Sequence, residues 1–264
     1  MTRLNHSTAK WQDLDSAHFL HPFTNHKELH TKGATIIEKA DGIYLWDSDG
    51  NRILDGMAGL WCVNIGYGRE EIAEVAKKQI KELAYYNSFF KTSNIPTANL
   101  SELLVNITPD GLNHVFFANS GSEANDTIIR MVRHFWNLEG QPKKRIIIGR
   151  EFGYHGSTIM SASMGGMMDM HKQAANEPDF EHIPAPYSFK YQGDETEEKF
   201  AEICANWLEE KIIELGNENI AAFVAEPIQG AGGVIIPPKN YFNYIQEICK
   251  KHNILFIVDE VITG

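Results

Sequence analysis

The chain has 264 residues, enough for one large domain or two modest ones with a substantial apolar core. Thirty-five acidic residues against 24 basic ones leave a formal charge of −11. A surface with that excess repels phosphate backbones and anionic lipid, so no nucleic-acid or membrane partner is expected. Met1 to Asp15 lacks the long apolar core of a secretory signal, and no uncharged apolar run approaches a membrane span. The expectation is a cytoplasmic protein. Cys62, Cys204 and Cys249 are odd in number and lack zinc-type spacing. They read as small buried residues in a reducing compartment.

Ala34 to Glu38 and Ile43 to Trp46 are rich in β-forming residues. The turn cluster Asp47 to Asn51 follows, and Ile53 and Leu54 resume the apolar pattern. The segment predicts a short antiparallel unit. Asp47, Asp49 and Asn51 imitate the start of a calcium loop, but Arg52 and Ala58 stand where its glycine and glutamate belong. His26 and His30 lack the residue order of a zinc-protease helix and read as part of a surface helix. Phe23, Trp46, Trp61, Phe89 and Phe90 cluster early in the chain. Most should be core residues, with one or two lining an apolar substrate channel.

Helical spacing of apolar residues predicts helices over Glu70 to Leu83 and Thr97 to Ile107. From residue 114 the rhythm becomes strand, turn, helix. Val115 to Ala118, Arg145 to Ile148, Ile220 to Ala225 and Ile254 to Val258 are apolar runs of strand length, with helices over Glu123 to Glu139 and Tyr241 to His252. Asn176 to Glu198 is polar and proline-bearing and reads as a surface excursion. The fold class is α/β, a mostly parallel sheet covered by helices on both faces.

Three places carry candidate chemistry. Asn119 to Asn125 lies between a strand and a long helix, where small residues and a helix N-terminus suit an oxyanion; a simple N-cap by Ser120 is the competing reading. Glu226 and Asp259 close two strands at the carboxyl edge of the sheet, where open α/β folds bind ligands. A carboxylate about 4 Å from a protonated pyridine nitrogen gains roughly 4 kcal/mol at an effective dielectric of about 20, or about three pKa units. Tyr154, between Gly153 and His155-Gly156, is placed to lay its ring on a flat cofactor. The glycine-rich loop from Glu226 to Gly233 has Ile235 where a dinucleotide fingerprint needs its third glycine, which argues against a nicotinamide-dependent dehydrogenase.

Together, Leu60 to Asn64, Ser120 to Asn125, Tyr154 to Thr158, Ala225 to Gly233 and Val258 to Val261 resemble class III pyridoxal-phosphate-dependent aminotransferases, continuously from about Leu14 to the last residue. His21 to Thr24 and Gly56 to Trp61 are similar to the branch that acts on ω-amino acids or putrescine with pyruvate. The resemblance implies fold type I, with residues 1–75 feeding a small α+β domain and 76–264 forming an incomplete cofactor-binding large domain. It implies that Ser120, Gly121 and Ser122 hold the phosphate of pyridoxal 5'-phosphate and that Tyr154 and Val261 cover the two ring faces. His155 is counted with the cofactor-binding residues. Asp259 would pair with the ring nitrogen, and Glu226 would fix Asp259 or the ring-hydroxyl side; these two are the catalytic carboxylates. Phe23, Trp61 and Phe90 would shape the substrate pocket, no metal is implied, and the partners are an amine, a keto acid and a second copy in a homodimer. The family's cofactor-binding lysine would fall beyond Gly264, so the chain reads as an N-terminal fragment that does not transaminate by itself. The same absence motivates an alternative, a non-catalytic cofactor-binding or dimerising pseudoenzyme.

Overall fold

A computed structural model of the chain describes residues 6–174, 176–191 and 193–264. Residues 1–5 of the N-terminal reading, and Gln192 within the expected excursion, lie outside the described residues. The chain divides into two compact units, Met1–Pro109 and Asp110–Gly264.

The first unit opens with helices Thr8–His18 (α1) and His26–Lys32 (α2), each started by a side-chain cap: Ser7 accepts from the Lys10 N–H and Asn25 from the Glu28 N–H. The second is the surface helix expected around the two histidines. Ile37–Asp41 (β1), Tyr44–Asp47 (β2) and Arg52–Leu54 (β3) form an antiparallel meander in the order β1-β2-β3. The first strand starts later than its composition indicates, because Ile37 pairs with Asp47 at the end of β2 and Ala34 falls beyond the ladder. Asp47 closes the turn by accepting the N–H groups of Asp49 at 3.0 Å and Asn51 at 2.8 Å. Among the described residues no His, Cys, Asp and Glu group is placed to hold a metal.

A single turn, Ala58–Trp61 (α3), and helices Glu70–Leu83 (α4) and Ile95–Ile107 (α5) complete this unit. No described residue of the unit is buried. Ile72, Val75, Ile80 and Leu83, which the spacing sets along one stripe of α4, are exposed. Phe23, Trp61, Phe89 and Phe90 are exposed too, against the expectation of core aromatics, and Trp46 is half-buried. The unit is one three-stranded sheet with separate helices, and no second layer encloses a core between them.

The second unit is built on a parallel sheet in the order β5-β4-β6-β7. In chain order its elements are Gly121–Leu138 (α6), Ile146–Arg150 (β4), Ile159–Met164 (α7), Met168–Ala174 (α8), Phe180–Ile183 (β5), Glu197–Leu215 (α9), Ile220–Ala225 (β6), Tyr241–Lys251 (α10) and Leu255–Val258 (β7). All six residues of β6 are buried, as a central strand covered on both faces requires. Successive side chains of β6 go to opposite faces. Phe223 and Ala225 pack with Leu208, Ile212, Ile245 and Cys249 of α9 and α10, while Ala222 and Val224 pack with Ile129, Val132 and Trp136 of α6. Each such aliphatic side chain contributes about 1.5–3 kcal/mol when fully buried. Two polar pins cross this core: Trp136 Nε1 donates to the Ala221 carbonyl at 2.9 Å, and buried Lys144 donates to the Asn253 carbonyl at 2.8 Å.

Three sequence expectations are corrected here. Val115 to Ala118 is not a strand: it pairs with no strand among the described residues, and Phe116 and Phe117 are exposed. Asn176 to Glu198 is not wholly a surface excursion, because it contains β5, whose Phe180 and Ile183 are buried opposite Ile147 and Arg150 of β4. The half-buried Glu181 and His182 break the apolar run that would have revealed it. Cys204 and Cys249 are buried as expected and burial pushes both thiols up to about 12, but Cys62 is exposed just after the α3 turn. No described helix is long and apolar enough to cross a membrane.

Candidate active site

The loops that follow β4, β6 and β7 meet the N-terminus of α6 at the carboxyl edge of the second unit's sheet, the ligand-binding edge of open α/β folds. Ser120 is the extended N-cap of α6, and its Oγ accepts the Glu123 N–H at 3.2 Å. Glu123 returns a carboxylate oxygen to the Asn119 N–H at 2.8 Å. The capping reading is therefore realised. It leaves the first backbone N–H groups of the helix, at Gly121 and Ser122, without intrahelical acceptors, at the positive end of the helix dipole. The Ser122 hydroxyl oxygen accepts the Ser157 N–H at 2.9 Å. Between those strands of contact sits Gly156 at φ +131°, where an added Cβ would lie 2.6 Å from Ser122 Oγ. Only glycine lets the loop after β4 lie against the helix start.

Asp259 lies one residue beyond β7. Its Oδ2 is 2.8 Å from His155 Nδ1 and 3.3 Å from Asn125 Nδ2. An ionised carboxylate only accepts, so His155 carries its proton on Nδ1. Asn125 also donates to the His155 carbonyl at 2.7 Å, tying the α6 start, the β4 loop and the β7 end into one buried triangle. Burial pushes the Asp259 carboxyl up, but the hydrogen bond and charge of His155, with help from the Val261 N–H and Asn125, outweigh it and hold the group below the usual aspartate range. Oδ1 accepts the Val261 N–H at 3.3 Å, which leaves room for a stronger donor.

Glu226 follows β6 and is buried. Its Oε1 accepts the Tyr154 N–H and its Oε2 the Gly230 N–H, both at 3.0 Å. The carboxylate therefore staples the β4 loop to the glycine-rich loop. Buried Arg150, at the end of β4, donates to the Glu226 carbonyl. Tyr154 is half-buried. Val261 is 71% exposed, and its Cγ2 lies 3.8 Å from where a Cβ on Gly121 would stand, so the β7 loop and the helix start face one another.

The structure gives contacts to two residues that lie in candidate segments but have no role of their own in the sequence reading. Asn125 is a polar residue on the buried stripe of α6, aligned with Ile129, Val132 and Trp136; a polar member of an apolar stripe was the available signal. Gln229 is fully buried, donates Nε2 to the Glu151 carbonyl at 2.9 Å, and its Oε1 has no hydrogen-bond partner among the described residues. Nothing in its local sequence marks it.

Phe23, Trp61 and Phe90 belong to the first unit and are 74%, 42% and 94% exposed. All three have left-handed backbones, with φ of 48°, 71° and 57°. Trp61 ends a run in which Ala58, Gly59 and Leu60 are also left-handed, held by the Trp61 N–H to the Met57 carbonyl at 2.9 Å. The non-glycine members cost about 1–2 kcal/mol each, a strain that clusters at functional loops.

The second unit's residues suit a flat ring bearing a phosphate and a basic nitrogen. A helix N-terminus accepts the anion, and Asp259 Oδ1, which holds only the long Val261 N–H bond, accepts an N–H. The fold is that of fold-type I pyridoxal-phosphate enzymes, and this donor set suits their cofactor. The sequence pattern of the Aminotransferase class-III family matches residues 24–264. The putrescine–pyruvate aminotransferase of Pseudomonas aeruginosa is 54% identical over 261 residues, covering 98% of this chain and 57% of that protein. The (S)-enantioselective ω-transaminase of Thermomicrobium roseum superposes with a TM-score of 0.95 at 40% identity, covering 99% of this chain and 58% of the other. The ω-transaminase of Pseudomonas jessenii, solved in complex with PMP, gives 0.94 at 41% identity, covering 96% and 56%. The chain belongs to the class-III aminotransferase family, whose cofactor is pyridoxal 5'-phosphate. It spans little more than half the length of these relatives.

Proposed function

We propose that the whole protein is an aminotransferase that moves an amino group from a diamine or ω-amino acid to pyruvate or another keto acid. The observation that carries the reading is the His155–Asp259 pair at the end of β7, a buried carboxylate held in its charged form with one oxygen carrying only the long Val261 N–H bond. Pyridoxal phosphate, when bound, supplies the electron sink for breaking a bond at the substrate carbon. The chain's own residues then divide the work. Gly121 and Ser122 hold the phosphate, with Ser120 capping the helix that presents them. Tyr154 and Val261 enclose the ring. Asp259 keeps a proton on the ring nitrogen, His155 orients Asp259, and Glu226 sets the spacing of the two loops.

The preference for putrescine as donor is supported by the 54% identity to the putrescine–pyruvate enzyme. Phe23, Trp61 and Phe90 are assigned to the substrate pocket. Residues 1–75 are assigned to the small domain and 76–264 to the large domain of the whole protein, working as a cytoplasmic homodimer; the uncovered apolar stripe of α4 fits burial against a second copy. The test is alanine formation from pyruvate by the purified whole protein with putrescine, β-alanine or γ-aminobutyrate as donor. Fastest turnover with putrescine supports the proposal. Alanine from none of them overturns it.

A further inference from the structure

We propose that Asp126, Thr158 and Ser161 are positioning residues for the anion cradle, holding Ser122 so that its hydroxyl proton faces a bound phosphate. The inference rests on the cofactor reading above and assigns three residues that reading leaves unused.

Asp126 stands one helical turn after Ser122 on α6, so the two share a face. Thr158 caps α7, and Ser161, fully buried, lies in its first turn. Thr158 Oγ1 is 2.7 Å from Asp126 Oδ1 and 2.9 Å from Ser161 Oγ. Ser161 Oγ is 2.8 Å from the same Asp126 oxygen and 3.0 Å from the Ser122 carbonyl oxygen. The four residues therefore close a polar ring between the first turns of α6 and α7.

Proton counting gives the ring its direction. A carboxylate only accepts, so Asp126 draws the Thr158 proton and shares the Ser161 proton with the Ser122 carbonyl. Neither hydroxyl has a proton left to compete for an incoming anion. Ser122 is thus gripped through its carbonyl by Ser161 and through its Oγ by the Ser157 N–H. That N–H takes one lone pair of Ser122 Oγ, so the Ser122 proton is free to turn towards an anion at the helix terminus. The arrangement fixes the backbone and side-chain position of Ser122 before the anion arrives, so that its hydroxyl can donate without first being ordered, which is the preorganisation an anion site needs.

The test measures binding of pyridoxamine phosphate and of pyridoxamine, which lacks the phosphate, to the purified protein by calorimetry. Wild type is compared with Asp126→Ala, Asp126→Asn and Ser161→Ala. The proposal expects Asp126→Ala and Ser161→Ala to weaken the phosphate ester roughly tenfold, the scale of one hydrogen bond to a charged group, with pyridoxamine unchanged. Asp126→Asn keeps an acceptor oxygen and should restore most of the affinity. Parallel weakening of both ligands, or no change in either, overturns the positioning role while the cofactor reading stands. A wild-type protein that binds neither ligand removes both.

Discussion

His155 and Asp259 are 104 residues apart in the sequence, and the structure sets Nδ1 of one 2.8 Å from Oδ2 of the other. The contact joins the loop after β4 to the end of β7, so a single hydrogen bond reports on whether the carboxyl edge of the sheet is assembled. It also decides the charge of Asp259, since burial acts against ionisation and His155 acts for it.

Removing His155 should therefore let burial win. In His155→Gln the Asp259 carboxyl rises. A carboxylate held below its unfolded value contributes stability that is present above that value and is lost as pH falls through the folded one. Pyridoxamine phosphate affinity measured across about pH 4–7 should fall off at higher pH in the variant than in wild type. Superimposable profiles would separate His155 from the charge of Asp259.

A second histidine makes the fold acid-sensitive in the same direction, through its own titration. His182 on β5 is pushed below the ordinary histidine range by burial, only partly opposed by the Met164 carbonyl, and His171 of α8, packed against its ring, adds repulsion. The unfolded chain binds this proton more readily than the folded one, so stability falls as pH drops from about 6.5 through the folded value. Urea unfolding at pH 7, 6 and 5 should show a smaller acid loss in His182→Gln than in wild type. An equal slope would mean that His182 does not titrate in this window.

Leu208 is fully buried between α9 and the sheet, in the cluster around Phe223 and Ile245. Leu208→Ala should cost about 2–5 kcal/mol in urea unfolding, the range for a core cavity that cannot collapse. A loss below about 1 kcal/mol would mean that this face of the sheet is loosely packed.

What was legible in the sequence follows from how local each signal is. Periodicity gave α4 its observed bounds and composition gave β6 its bounds, because each element's own residues carry the pattern. Glu226 and Asp259 were legible because a carboxylate ending an apolar run is itself a sequence feature. β5 is not legible in the sequence because its burial comes from pairing with β4, not from an apolar run. Val115 to Ala118 failed for the converse reason: an apolar run becomes a strand only beside a partner. Asn125 acts on a residue 134 positions away, and Gln229 is distinguished only by an unpartnered oxygen. Neither relation exists until the chain is folded.

The central claim is that Asp259 faces the ring nitrogen of a bound pyridoxal-type cofactor. Its most direct measurement is the nitrogen-15 resonance of ring-labelled pyridoxamine phosphate bound to the protein, followed through a pH titration. The account predicts that the ring nitrogen of wild type keeps its proton to a pH about three units higher than in Asp259→Asn, the size expected for one carboxylate at about 4 Å. The same titration in both proteins would contradict it.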